Sequence, residues 1–276
     1  MKPAHKNTRR SPSRVKLAPQ GKAAEKTGAK QAKAADKTGA TQRAKAAQKT
    51  GAAQRIKAPQ LPSAPRAFSV LASIVLALWL VGASFMVVLS PPVTHGLASV
   101  FVDTQNSVKS HDYLVRIADD ARSFAAGDDS VELPLGTDER VAFTPEVIEH
   151  LLDVRVVFLA AQLLTALLTV ALVVLFVVAV RRWGAVSLKS VLRTGGIIPW
   201  ALAVVLVVVG MLSFEALFTA MHQLLFAAGT WTFSYDSLLI CALPFDFWVG
   251  CAVVWAVALI VLCAVSVITS IVLKRR

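Results

Sequence analysis

Apolar positions along this chain gather into four blocks, at residues 68–89, 156–180, 197–220 and 247–273. Each block runs more than 20 positions with almost no charge, enough for a helix to cross a hydrocarbon core of roughly 30 Å. Backbone in contact with lipid must satisfy its own hydrogen bonds, so each block is predicted to be a transmembrane helix. The pattern changes between the first two blocks. Pro91-Pro92 are expected to end the first span. In HDYLVRIADDARSFAAG, Leu114, Ile117, Ala121 and Phe124 recur at helical spacing and leave Asp119, Asp120 and Arg122 on the other side. Gly127 is expected to close that helix. VELPLGTDERVAF reads as two short extended pieces around a glycine-containing turn. Thr144-Pro145-Glu146 then supplies a capping hydroxyl, a proline at the first helical position and an acid in the first turn. The helix it starts is predicted to carry His150 to Val154 and to continue into the second span.

The expected fold class is an all-α integral membrane protein with four transmembrane helices. A small outward-facing α/β cap lies between the first and second spans, and a disordered basic tail precedes the first. The domains are a Lys/Ala-rich tail at 1–67, a membrane domain at 68–273 that includes the cap at 91–154, and a basic end at 274–276. With 55% hydrophobic residues and a mean hydropathy of +0.61, the chain is more apolar than a soluble domain. Cys241, Cys251 and Cys263 lie in or beside the last span without metal spacing, and an odd count offers no disulfide framework. They read as small apolar packing residues.

Charge orients the spans. The net charge of +12 conceals a split, because residues 1–67 hold 17 Lys/Arg against two acids and the remainder is net negative. Arg181, Arg182, Lys189 and Arg193 fall between the second and third spans, and Lys274, Arg275 and Arg276 follow the fourth. Residues 91–154 instead carry 12 acids against Lys109, Arg116, Arg122 and Arg140, and residues 221–246 hold no Lys or Arg. The positive-inside bias therefore predicts cytoplasmic termini, with the cap and the 221–246 turn together on the outer face. No cleavable signal peptide is expected, since 67 polar residues precede a first span too long for a signal's apolar region.

The tail repeats KAAEKTGA, KAADKTGA and KAAQKTGA, and it holds no aromatic residue before Phe68. It has nothing from which to build a core. Its chemistry suits anionic lipid or another polyanion, and nothing in it selects a nucleic-acid sequence.

Two histidines carry the candidate chemistry. His150 lies just before the second span and His222 where the third ends, so both reach similar depth on the outer face although 72 residues separate them. Asp153 is three residues from His150 on one helix, close enough to orient its imidazole. Glu215 lies two turns before His222 within an apolar span, where an ionisable group should face the bundle interior or a wet cavity. Trp231, Tyr235 and Asp236 sit in the turn beside them; they also suit an aromatic belt and a turn cap. His111 reads as a polar helix start without chemistry. Physics of the residues alone reaches an outward-facing pocket that bears two histidines.

These motifs resemble those of the lipoprotein intramolecular transacylases, a family of bacterial four-span membrane proteins. That family carries H-M-x-D-V before the second span, F-H-x-x-x-F leaving the third, then a tryptophan and L-I-x-x-x-P-x-x-F/W towards the fourth. Here they read His150-Leu151-Leu152-Asp153-Val154, Met221-His222-Gln223-Leu224-Leu225-Phe226, Trp231 and LLICALPFDFW. Leu151 and Met221 depart from the pattern but keep apolar character. The likeness spans about residues 68–273 in topology, rests on about a dozen motif positions, and leaves the tail out. It implies a bacterial cytoplasmic-membrane enzyme that moves an acyl chain from the glycerol ester of a diacylglyceryl-cysteine to the α-amine of the same lipoprotein. It also implies that His150 and His222 act as acid and base, in either order. Asp153, Glu215, Trp231, Tyr235 and Asp236 would support or orient them, and the oxyanion donor would be Trp231, Tyr235 or a backbone amide. No metal, nucleotide or other cofactor is required, and the implied partners are the diacylated lipoprotein N-terminus and membrane lipid. The competing reading is a non-catalytic scaffold or sensor whose basic tail recruits a polyanion. A transporter component fits less well, because the four spans show no repeats and no paired broken helices.

Overall fold

The computed structural model describes residues 40–46 and 63–273. The chain divides into two compact units, Met1–Gln60 and Leu61–Arg276. In the first, residues 40–46 form a helical stretch. The disorder expected of the tail otherwise falls outside the described residues, as do residues 274–276.

In the second unit, four helices are long and apolar enough to cross a membrane. They are α1 (Arg66–Val88), α4 (Pro145–Trp183), α5 (Leu188–Leu225) and α7 (Phe245–Val272), with α2 (Pro91–Phe101), α3 (His111–Ala125) and α6 (Leu238–Ala242) between them. The protein is a multi-pass membrane protein. One face of α4 (Val156, Leu163, Leu167, Val170, Val174) is exposed, as a lipid-facing stripe is. At 39 residues α4 is about 58 Å long, so its first turns stand clear of the hydrocarbon, and His150 rides on them.

Membrane packing relies on small residues and on bonds to backbone carbonyls. Ala72, Leu76, Ala179, Val191, Ala203, Leu259 and Cys263 belong to one core. The Ser266 hydroxyl donates to the Leu192 carbonyl at 2.8 Å and ties α7 to α5. Gly195 lets α5 approach α1 closely: a Cβ there would lie 2.8 Å from Leu76 Cδ2 and 3.0 Å from the Ser73 carbonyl oxygen.

A second core lies at the cap and joins Leu114, Ile117, Ala118, Phe143, Val147, Leu238 and Cys241. Backbone bonds tie the 226–244 segment to the cap, with Asp103 N donating to Cys241 O at 2.8 Å and Leu238 N to Glu139 O at 2.7 Å. The two segments expected on one face therefore meet. Two cap histidines pin α2 to α3, His95 Nδ1 lying 2.7 Å from Asp119 and His111 Nε2 3.0 Å from the Ser99 carbonyl. The three cysteines are free and buried.

The structure departs from expectation in three places. The α/β character expected of the cap is absent, since the described residues contain no strand. VELPLGTDERVAF makes one isolated bridge, Leu135 to Phe143. Pro134 has no N–H to extend a ladder, and the next residues wind away, with Val141 N and Ala142 N both donating to the Asp138 carbonyl. Pro91-Pro92 do not end the first span. It stops at Val88, and the prolines open α2 from an N-cap at Ser90.

The third departure is inside α5. Ser213 is non-helical (φ −162°, ψ 89°), and its hydroxyl accepts from Ala216 N at 3.3 Å. A new helical segment thus starts within the block, with Ser213 as its cap and Glu215 in its first turn, where the positive helix end favours an acid. Glu215 is exposed. It does not face the bundle interior.

Gly195→Val should lower stability in detergent by about 1–3 kcal/mol through overpacking against Leu76 and Ser73. Gly96→Ala, where a Cβ meets nothing within 4 Å, should leave the melting temperature unchanged or raise it. Thermal unfolding of the two variants checks both.

Candidate active site

His150 and His222 converge. The Thr144 N-cap and Pro145 start α4 so that Val147, His150 and Leu151 turn inward, and His150 is 8% exposed. His222 sits in the last turn of α5 and is 7% exposed. Their ring centroids are 6.2 Å apart with planes 25° from parallel.

Aromatic rings enclose the pair. Phe218 and Phe226, four residues either side of His222, have centroids 4.0 and 5.4 Å from its ring. Phe226 is also 5.0 Å from His150. The chain leaves α5 with Phe226 N bonded to His222 O at 2.8 Å. It then turns through Gly229, whose φ of 85° suits glycine. That turn folds Trp231 back to 4.9 Å from His222 and Phe233 to 5.6 Å from His150.

The polar atoms of this enclosure are few and specific. His222 Nδ1 lies 2.9 Å from the Phe218 carbonyl oxygen. A carbonyl only accepts, so Nδ1 carries the hydrogen and the neutral ring presents its lone pair at Nε2. His150 Nδ1 and Trp231 Nε1 are buried with no hydrogen-bond partner. Such atoms are costly unless something binds them. The arrangement offers one basic nitrogen, one indole donor and one further imidazole within one aromatic enclosure.

The other expected residues lie elsewhere. Asp153 is exposed and bonds neither imidazole. It lies three positions from His150, but the shared face is rotated enough that the histidine points in and the acid out. The orienting role expected of it is taken for His222 by a backbone carbonyl, and His150 has no such partner. Tyr235 is 71% exposed. Asp236 accepts from Ser234 Oγ at 2.6 Å in the adjoining loop, and Glu215 belongs to the helix start at Ser213. Phe218 and Phe233 were not anticipated. The spacing of Phe218 and His222 at an interval of four was the available signal, because it stacks the two rings on one helix face, with Phe226 following at the helix end.

A family model described as lipoprotein intramolecular transacylase Lit matches residues 70–248, more than half of the chain. Curated protein sequences give no match. Among solved structures, the membrane-integral lipoprotein intramolecular transacylase Lit from Bacillus cereus is 17% identical, with a TM-score of 0.61 over 73% of this chain and 91% of that one. Two variants of that protein, with arginine or alanine in place of one histidine, each match at a TM-score of 0.57 and 17% identity. They cover 74% of this chain and 89% and 91% of their own. At this identity the structures show a shared fold.

Asp153→Asn should leave turnover within about twofold of wild type, the scale of an exposed carboxylate that bonds neither imidazole. A tenfold loss in a steady-state assay would return Asp153 to the site.

Proposed function

The chain belongs to the lipoprotein intramolecular transacylase family, and from that premise we propose that it moves an acyl chain from the glycerol ester of a diacylglyceryl-cysteine to the α-amine of the same cysteine. The enzyme class follows from the family. The roles of individual residues are our reading, and the observation that carries it is the pairing of His150 with His222 under a roof that leaves two buried nitrogens unpartnered.

His222 is the base. An α-amine with a pKa near 8 is mostly protonated at neutral pH, and a neutral imidazole can accept its proton. The Phe218 carbonyl holds Nδ1–H and leaves Nε2 free for that task. The amine nitrogen attacks the ester carbonyl and forms a tetrahedral intermediate. Trp231 Nε1–H, otherwise unpartnered, donates to the oxygen that gains charge. Collapse breaks the carbon–oxygen bond to glycerol, and His150 delivers a proton to the departing oxygen. The product is an amide and a free glycerol hydroxyl: of the two protons the α-ammonium loses, the first passes to water and the second, taken by His222 from the attacking nitrogen, replaces the one His150 gives to oxygen. Proton return between the facing rings resets the pair. Because amine and ester belong to one molecule, positioning supplies much of the acceleration.

The basic residues support an orientation with both termini on the cytoplasmic side of the bacterial cytoplasmic membrane and the histidines on the outer side. The tail, with 17 Lys/Arg in residues 1–67, then lies against the anionic inner leaflet.

The test is expression in a host whose lipoproteins keep a free α-amine, with mass spectrometry of a lipoprotein N-terminal peptide. Wild type should yield N-acylation with one ester lost, and an unchanged diacylglyceryl peptide would remove the reading. His222→Ala and His150→Ala should each lose about 10²–10⁴-fold in rate. Trp231→Phe keeps the ring and loses the donor, so it should lower kcat by about 10²–10³-fold with KM little changed. A wild-type kcat in that variant would transfer the oxyanion role elsewhere.

A further inference from the structure

His150 and His222 meet although the helices that carry them scarcely touch. α4 and α5 both pack on α1 and little on each other. Gly195 holds α5 against Ser73 and Leu76 of α1, and the Ser266 hydroxyl ties it to α7. On a different side of α1, Gly82 packs on Thr165, and the Trp79 indole N–H donates to Thr169 Oγ1 at 2.8 Å. A straight α5 would stay with α1 and α7, apart from the helix that holds His150.

α5 does not stay straight. Of its residues, Pro199 included, only Ser213 has non-helical angles, φ −162° and ψ 89°. Arg193 is the last Lys or Arg on α5, and Ser213 lies about 30 Å beyond it along the axis, the thickness of the hydrocarbon. The Phe214 ring packs 5.3 Å from that of Phe245, the first residue of α7. Both put the break where the span ends, so the backbone groups it frees are within reach of water. α1 has stopped by then. With Gly195 opposite Ser73 and Leu76, Val88 is level with about Val208.

Past the break the chain takes new partners. Phe218 contacts Phe245 and also Trp248, nearly a turn deeper on α7. His222 reaches His150, with ring centroids 6.2 Å apart. It lies about 14 Å along the helix from Ser213, so a bend of ~30° there carries the imidazole about 7 Å sideways. The Ser213 hydroxyl accepts from Ala216 N at 3.3 Å and supplies the cap from which the new direction starts.

Resting on the acyl-transfer reading, we propose that Ser213 is a positioning residue of this reaction. By ending the third span and capping residues 214–225, it turns that segment past the end of α1 and sets His222 opposite His150. Ser213 is itself exposed and acts only through the direction of the helix.

The experiment compares full-length wild type, Ser213→Ala and Ser213→Asn in detergent micelles on a synthetic diacylglyceryl-cysteine peptide. Alanine removes the cap and favours an unbroken helix, whereas asparagine keeps a capping oxygen. Ser213→Ala should lose about 10–10²-fold in kcat, the scale of a misplaced catalytic group, with KM changed far less. Ser213→Asn should recover most of that loss. Spin labels at Glu149→Cys and Gln223→Cys, exposed neighbours of the two histidines, read the geometry without turnover, the native cysteines being buried. Their separation should lengthen by about 5 Å in Ser213→Ala and return in Ser213→Asn. An unchanged separation or a wild-type kcat in Ser213→Ala, or a loss that asparagine does not recover, overturns the positioning role and leaves acyl transfer standing. Conversion by no form, wild type included, overturns the acyl-transfer reading, and the label separation then decides whether Ser213 sets the pair.

Discussion

Hydrocarbon leaves a backbone no partner but itself, and that constraint shapes the rest of this protein. Four blocks of the chain become helices because no other structure in them closes its own bonds. Polar chemistry is then confined to where helices end. His150 lies near the start of α4 and His222 in the last turn of α5, and the loops at those ends bond to one another rather than to lipid. The Asp103–Cys241 and Leu238–Glu139 backbone bonds make one lid of two segments that are distant in sequence. Without that lid the histidines would be two interfacial residues on separate helices. With it, they are a buried pair.

Much of this was legible in the residues. Apolar block length locates the spans, and Thr144-Pro145-Glu146 marks the start of α4 to the residue. Charge and depth together put His150 and His222 on one side. What was not legible is instructive. Ser213 sits in an apolar run that reads as one helix, and only tertiary packing shows that the backbone breaks there and caps a new segment. Once it does, Glu215 changes meaning, from an ionisable group needing a wet cavity to a first-turn acid at a helix start. The extended pieces of the cap failed for a related reason. Pro134 removes a donor, and the turn at Asp138 claims the N–H groups that a second strand would have used.

Asp153 shows the limit of spacing as a guide to contact. A separation of three residues brings side chains to one side of a helix, but near a membrane surface the same separation also suits one residue for the core and the other for water. The structure takes the second course. The aromatic residues illustrate the converse. Phe218 reads as an ordinary apolar position of a span, yet its spacing from His222 packs its ring on the imidazole, and it supplies a carbonyl as well as a ring.

That carbonyl separates this site from a histidine held by a carboxylate. Both partners fix the tautomer by accepting from Nδ1, but a carbonyl does so without adding a formal charge to an enclosure made of phenyl rings and an indole. An isolated carboxylate buried there would carry a desolvation cost that the rings cannot offset. The enclosure therefore holds no carboxylate, and Asp153, the acid nearest to it in sequence, stays exposed. The polar atoms left inside are neutral: the Trp231 indole N–H, His150 Nδ1 and the free Nε2 of His222.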